Sequence, residues 1–229
     1  MVVRSCRVVI PIAVAGWLSF ASACFGEDVL FEDNFDKGLS DKWQAVGLDE
    51  NDYRVRDGAL EIRLRPGKAS QPQPMLKVDL PFGTADSVVA SVDVSVEYET
   101  LNRGERAGVS LNDREGISFT GRVTNNDGYI VLAPGQVDFI GKPGEEGNPG
   151  KYTVKYWPAD KEFGPLRILV RGHYAHFQVG PSKDGKYQTF FHSALRQSNE
   201  GLGFGLFAVG VTEDADRWVR FDNFQVNKH

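Results

Sequence analysis

Cysteine is nearly absent: two in 229 residues, Cys6 and Cys24, both within the first 26 positions. A thiolate zinc centre or a disulfide framework is therefore excluded for the rest of the chain. A basic excess is missing too, with 26 Lys+Arg against 31 Asp+Glu and a formal charge of −5. Sequence-independent nucleic-acid binding needs basic patches against phosphate, so nucleic acid is not an expected partner. No apolar run reaches the ~20 residues of a membrane-spanning helix. Helical periodicity over three turns is absent. So are a Gly-x-Ser-x-Gly elbow, a phosphate loop and a His-Glu-x-x-His pair. Nothing points to a nucleotide, flavin or redox cofactor. With 41% hydrophobic and 25% charged residues, the chain is not a disordered one.

The first 26 residues read as a secretory signal peptide. Arg4 and Arg7 supply a basic start, Val8 to Phe20 carry no charge, and Ala21-Ser22-Ala23 is a small-x-small cleavage pattern. Removing this segment makes the remaining chain two charges more negative than the −5 of the whole. Cleavage after Ala23 would leave Cys24 first, where a bacterial lipoprotein carries its lipid, although Ala21 stands where the usual signal has Leu. The expected location is periplasmic, extracellular or on the cell envelope, soluble or anchored through Cys24.

From Val29 onward the period is two. Val88, Ala90, Val92, Val94 and Val96 alternate with Val89, Ser91, Asp93, Ser95 and Glu97. The same pattern runs through Leu60-Ile62-Leu64, Ala107-Val109-Leu111, Leu166-Ile168-Val170 and Leu202-Phe204-Leu206-Ala208. Each is a strand with one face in a core. In the last, glycines at 201, 203 and 205 leave the second face bare, where a backbone or ligand could approach. Asp57-Gly58, Asp127-Gly128 and Asp184-Gly185 read as tight hairpins, and Phe190–Gln197 as one short helical turn. The opening Leu30–Phe35 and closing Val219–Val226 both contain Asp-Asn-Phe and alternate in the same way, so they are expected to pair. These features predict one all-β domain over 27–229, a two-sheet antiparallel sandwich.

The opening Phe31-x-Asp33-x-Phe35 followed by Trp43, the Tyr53–Ile62 hairpin and the closing Val219–Val226 strand resemble concanavalin A-like jelly-roll domains. That superfamily includes lectins, laminin-G-like modules, laminarinase-type glucanases and 3-keto-disaccharide hydrolase-like domains, and the layout is most similar to the last. The resemblance implies a jelly roll and a carbohydrate partner. It also implies a structural Ca²⁺ near the paired termini, on Asp33 and Asp222, as hard oxygen ligands would allow.

Specific catalytic motifs of the group are missing. There is no Glu-x-Asp-x-x-Glu run, and Asp93 and Glu97 stand four residues apart, about 13 Å at strand rise. That is too far for a glycosidase pair of about 5–9.5 Å. Neither alginate-lyase strand motif occurs, and Pro158 follows Trp157 where the hydrolase-like group has Trp-Asn. His173 and His176 lie three apart, so on a strand they face opposite ways and do not share a metal.

Candidate ligand-binding residues are the polar groups opposite the core and one loop aromatic: Asp93, Ser95, Glu97, Arg106, Ser110, Asn112, Trp157, Arg171 and His173. On one concave sheet they would line a groove for a poly- or oligosaccharide. Two other functions fit the same residues. One is a glycan-degrading hydrolase of the 3-keto-disaccharide type, with Asp93, Glu97, Arg171 and His173 as acid, base and positioning groups. The other is a non-catalytic protein-interaction or cell-surface module.

Overall fold

The computed structural model describes residues 28–66, 73–95, 105–113, 116–126, 129–134, 155–158, 165–180, 186–197, 201–211 and 216–229. Among them there are sixteen strands and no helix. The first eight are β1 (Val29–Asp33), β2 (Gln44–Val46), β3 (Tyr53–Arg56), β4 (Ala59–Arg63), β5 (Arg65–Pro66), β6 (Met75–Asp79), β7 (Val88–Ser95) and β8 (Arg106–Asp113). The rest are β9 (Gly116–Asn126), β10 (Tyr129–Pro134), β11 (Lys155–Pro158), β12 (Leu166–Arg171), β13 (Tyr174–Val179), β14 (Gln188–Ala194), β15 (Gly203–Gly210) and β16 (Trp218–Lys228).

They form two sheets. The first runs β14-β13-β12-β7-β16-β4-β3, with β1 also on β16. The second runs β11-β10-β9-β8-β15-β6-β2, with β5 also on β15. All ladders are antiparallel except β5 on β15.

The apolar phase of each strand explains how the sheets stack. Leu60, Ile62, Ala90, Val92, Leu166, Ile168, Val219 and Phe221 of the first sheet share one core with Leu76, Val78, Val109, Leu111, Phe204 and Leu206 of the second. Face-to-face packing of two such sheets is a β-sandwich. The expected pairing of the chain ends is present, with Phe31 opposite Val226 and Asp33 opposite Phe224. Strand β16 meets β4 with its first half and β1 with its second, and β7 runs along its other edge. The β7 ladder is interrupted between Asp222 and Gln225, where Asn223 takes φ +51°. A bulge of this kind bends the strand and re-aims its side chains.

The Asp57-Gly58 hairpin forms as expected, with φ of +49° and +69° at the two turn residues. Positive φ at both positions matches the strand twist, which is why Asp-Gly suits the turn. Phe190–Gln197 is not helical. Instead β14 pairs with β13, and edge pairing there outweighs local preference. The expected signal peptide over residues 1–26, Cys24 within it, Asp127-Gly128 and Asp184-Gly185 lie outside the described residues. Among the described residues no helix is long and apolar enough to cross a membrane.

Candidate functional site

The expected single groove is split between two sides of the molecule. Asp93 and Ser95 sit on β7, Arg171 ends β12, and His173 follows it, all in the first sheet. Arg106, Ser110 and Asn112 sit on β8 and Trp157 on β11, in the second sheet. Faces turned away from a shared core look in opposite directions, so these two sets do not line one groove. Alternation shows which face of a strand is polar, but not which sheet the strand joins. Glu97 lies outside the described residues, as do the side chains of Ser95 and Trp157.

On the first sheet, His173 is a fastener. At φ +64° its backbone N–H donates to Thr84 O at 3.1 Å, and its carbonyl accepts from Leu195 N at 2.8 Å. Its Nδ1 lies 3.0 Å from Thr84 Oγ1. The hairpin β12–β13 is thereby tied to the segment before β7. His176 does meet another histidine, but it is His192 on β14, directly opposite, with ring centroids 5.8 Å apart. Burial, then His192 and Arg171, hold His176 below the usual imidazole pKa. Trp218 lies half-buried on this face under the Arg54 guanidinium, 3.9 Å from the ring centroid. Asp93 is opposite Asp222 in register, and Asn223 Nδ2 donates to Asp93 Oδ2 at 2.9 Å.

The residues expected to hold calcium do not fit one ion. Asp33 shares the inward phase of Phe31, and its carboxylate takes three N–H donors. These are Phe35 N at 2.9 Å, Ser40 N at 3.1 Å and Trp43 Nε1 at 2.9 Å. These three bonds commit both carboxylate oxygens to the Phe35–Trp43 loop. Asp222 instead faces outward beside Asp93, one residue from the buried Phe221. Asp33 borders a cavity of about 620 Å³ lined in part by Glu32, Asn34, Asp36, Lys37 and Asn223, and Asp222 does not. Among the described residues, no group of three or more His, Cys, Asp or Glu is placed to hold a metal.

The second sheet presents a different kind of surface. On the face of β8, β15, β6 and β9 that looks away from the core, Ser110, Asn112 and Thr120 are almost completely shielded from solvent. So are Met75, Phe207 and Val209, which form a small apolar cluster of their own. A face pointing away from the core ordinarily meets water, and this one is enclosed. Ser110 Oγ accepts from Asn112 Nδ2 at 3.1 Å and donates to Gly205 O at 3.3 Å. Thr120, directly opposite Ser110 on β9, keeps an Oγ1 with no hydrogen-bond partner among the described residues. Arg106 Nε, at the start of β8, is likewise buried without a partner. Burial lowers the Arg106 pKa, and among the described residues no carboxylate is seen to offset it.

The bare strip of β15 is present, but its neighbours fill it. A Cβ on Gly205 would come within 2.7 Å of Ser110 Oγ and 2.8 Å of Met75 Sδ. The absent side chains thus let Ser110, Asn112 and Met75 converge. Lys77, opposite Gly205 on β6, is paired with Asp79 at 2.8 Å. Thr120 and Lys77 were not anticipated from sequence. Their period-two positions on neighbouring strands carried the signal, but only with the strand order known.

No family model matches the chain, and no curated protein does. Among solved structures the chain is similar to "Bacteroides ovatus Xyloglucan PUL GH43B", at 16% identity and TM-score 0.61, covering 90% of this chain and 40% of that one. It thus spans less than half of that protein. It is also similar to the CBM2 module of the Lactobacillus casei BL23 phage J-1 evolved Dit, at 12% identity and TM-score 0.57, over 87% of this chain and 95% of that one. A third is the marine PL7 alginate lyase AlyA1 from Zobellia galactanivorans, at 12% identity and TM-score 0.51, over 80% and 82%. At such identities the likeness establishes the fold, an all-β jelly-roll sandwich.

Proposed function

We propose that the protein is an exported, concanavalin A-like carbohydrate-binding domain that holds a poly- or oligosaccharide against the second sheet. The observation that carries this reading is the polar face of Ser110, Asn112 and Thr120 with the half-buried Arg106 at its end, where two buried polar atoms are left without partners among the described residues. Sugar recognition combines apolar contact area with fixed hydrogen-bonding groups, and Met75, Phe207 and Val209 supply the apolar part. Strand backbones hold the polar groups rigidly, which limits the ordering cost of binding. The names of the similar structures, a glycoside hydrolase, a binding module and a lyase, support the same ligand class.

Affinity electrophoresis in gels cast with soluble polysaccharides tests the proposal. The wild type is expected to be retarded by at least one polymer. Asn112→Ala, which removes the side-chain amide on Ser110, is expected to lose most of that retardation while staying folded. Retardation that is blank across polymers and across a glycan array would refute the reading.

A second reading has its own observation. Asp93 and Asp222 lie directly opposite each other on β7 and β16. Directly opposed residues have Cα atoms about 4.5–5.5 Å apart, so two carboxylates there can approach the ~5–5.5 Å spacing of a retaining glycosidase. A glycan-degrading hydrolase would then work on the first sheet. Sugar release lost in both Asp93→Asn and Asp222→Asn would support it, and no release by the wild type would end it.

A further inference from the structure

We infer that the saccharide held on the second sheet is acidic, and that Arg106 receives its carboxylate or sulfate group. This rests on the reading of that face as a glycan site. Strand alternation puts Arg106 on the same side of β8 as Ser110 and Asn112, with Ala107, Val109 and Leu111 in the core.

A guanidinium taken partly out of water is normally paired with an anion, because desolvating a charge alone is costly. Arg106 is half-buried, yet among the described residues it makes no ion pair and its Nε has no acceptor. The adjacent carboxylate is committed elsewhere. Glu105, next in sequence, is fully buried and bonded by Arg217, with Nη1–Oε2 at 2.6 Å. What remains is a planar fork of N–H donors, its Nε buried, at the end of the polar face of β8. Such a fork matches a two-oxygen anion, and a carboxylate or a sulfate ester serves equally. Thr120 Oγ1 adds a free hydroxyl for a neighbouring sugar oxygen. The chain as a whole is acidic, at −5, so diffuse attraction does not draw a polyanion to it. Retention of an acidic glycan must come from a local cation.

Matched pairs of polymers test this in affinity electrophoresis. One pair is polygalacturonate and its carboxyl-reduced form. The other is carrageenan and its desulfated form. The expected result is at least tenfold tighter retention on the acidic member of one pair, and which pair shows it identifies a carboxylate or a sulfate. Arg106→Gln is expected to abolish the difference. Arg106→Lys keeps the charge but not the fork, so it should retain part of the preference and be more salt-sensitive. Thermal melting confirms that each variant is folded; if Arg106→Gln is not, the wild-type preference and the Lys variant still decide. Equal retention on acidic and neutral members overturns the inference and leaves the glycan reading standing. Retention on neither member of either pair, with a blank array, overturns both.

Discussion

The indole Nε1 of Trp43 donates to Asp33 Oδ2 at 2.9 Å, inside a cluster made by Phe31, Phe35 and Phe224. The same carboxylate accepts two backbone N–H groups, so one side chain organises the Phe35–Trp43 loop. Asp33→Ala would strand three donors in and beside the core. A cost of at least about 2 kcal/mol is expected, at about 1–3 kcal/mol per buried donor left unpaired. Urea unfolding measures it. Chelator is expected to leave the melting temperature unchanged, because N–H donors already surround this carboxylate.

Glu105 and Arg217 fasten the start of β8 to the segment before β16, and so one sheet to the other. Glu105 is fully buried. Arg217→Ala leaves that carboxylate without its guanidinium, and breaking a buried pair in this way costs about 3–5 kcal/mol. Replacing both residues with apolar ones should recover much of the loss. A double-mutant cycle in denaturant would show whether it does.

Gly203 and Gly205 separate stability from function. A Cβ on Gly203 would stand 2.4 Å from Val78 O, a backbone atom that cannot rotate away. At Gly205 the obstacles are the side chains of Ser110, Met75 and Asn112. Gly203→Ala is therefore expected to destabilise more, towards the upper end of the ~1–3 kcal/mol typical of overpacking. Gly205→Ala should cost less stability but displace Ser110 and Asn112, and so weaken polysaccharide retention. Melting temperature and gel retardation, measured together, check the split.

His176 makes stability depend on pH. It faces His192 across the ladder, with Arg171 and Tyr174 beside them. Its pKa in the folded protein is lowered from 6.5, by burial first and then by His192 and Arg171. Between that lowered value and 6.5 the unfolded chain binds more protons, so stability rises with pH in this window. Acidifying through 6.5 should therefore lower the melting temperature until His176 is protonated in the folded state as well. His176→Gln should flatten this part of the profile.

Asp93 and Asp222 place like charges opposite each other, eased by Asn223. Asp93→Asn keeps an oxygen for the Asn223 amide and removes the repulsion. A gain of about 0.2–1 kcal/mol is expected, more at low salt. If stability falls instead, the carboxylate has a favourable role that repulsion does not describe.

Much of the fold was legible before any coordinates. Period-two alternation at 60–64, 88–94, 107–111, 166–170 and 202–208 marked strands and named their buried residues, because burial of one face is a local property of the pattern. The Asp57-Gly58 hairpin and the pairing of the chain ends were readable for the same reason. Residues 190–197 misled because a short apolar run carries no strong period, and pairing with β13 decided it.

The site was only half legible. The sequence by itself determined which side of each strand is polar, and so nominated Arg106, Ser110 and Asn112 as well as Asp93, Arg171 and His173. Only the tertiary structure assigned β8 to one sheet and β7 and β12 to the other, which divides those residues between opposite sides of the molecule. It also turned Asp33 inward and Asp222 outward, although the two stand in matching Asp-Asn-Phe motifs. Strand order and the bulge at Asn223 are long-range outcomes of packing, and nothing in a two-residue period encodes them. With cysteine so scarce, the sandwich is held by its apolar core and by internal anchors such as Asp33–Trp43 and Glu105–Arg217.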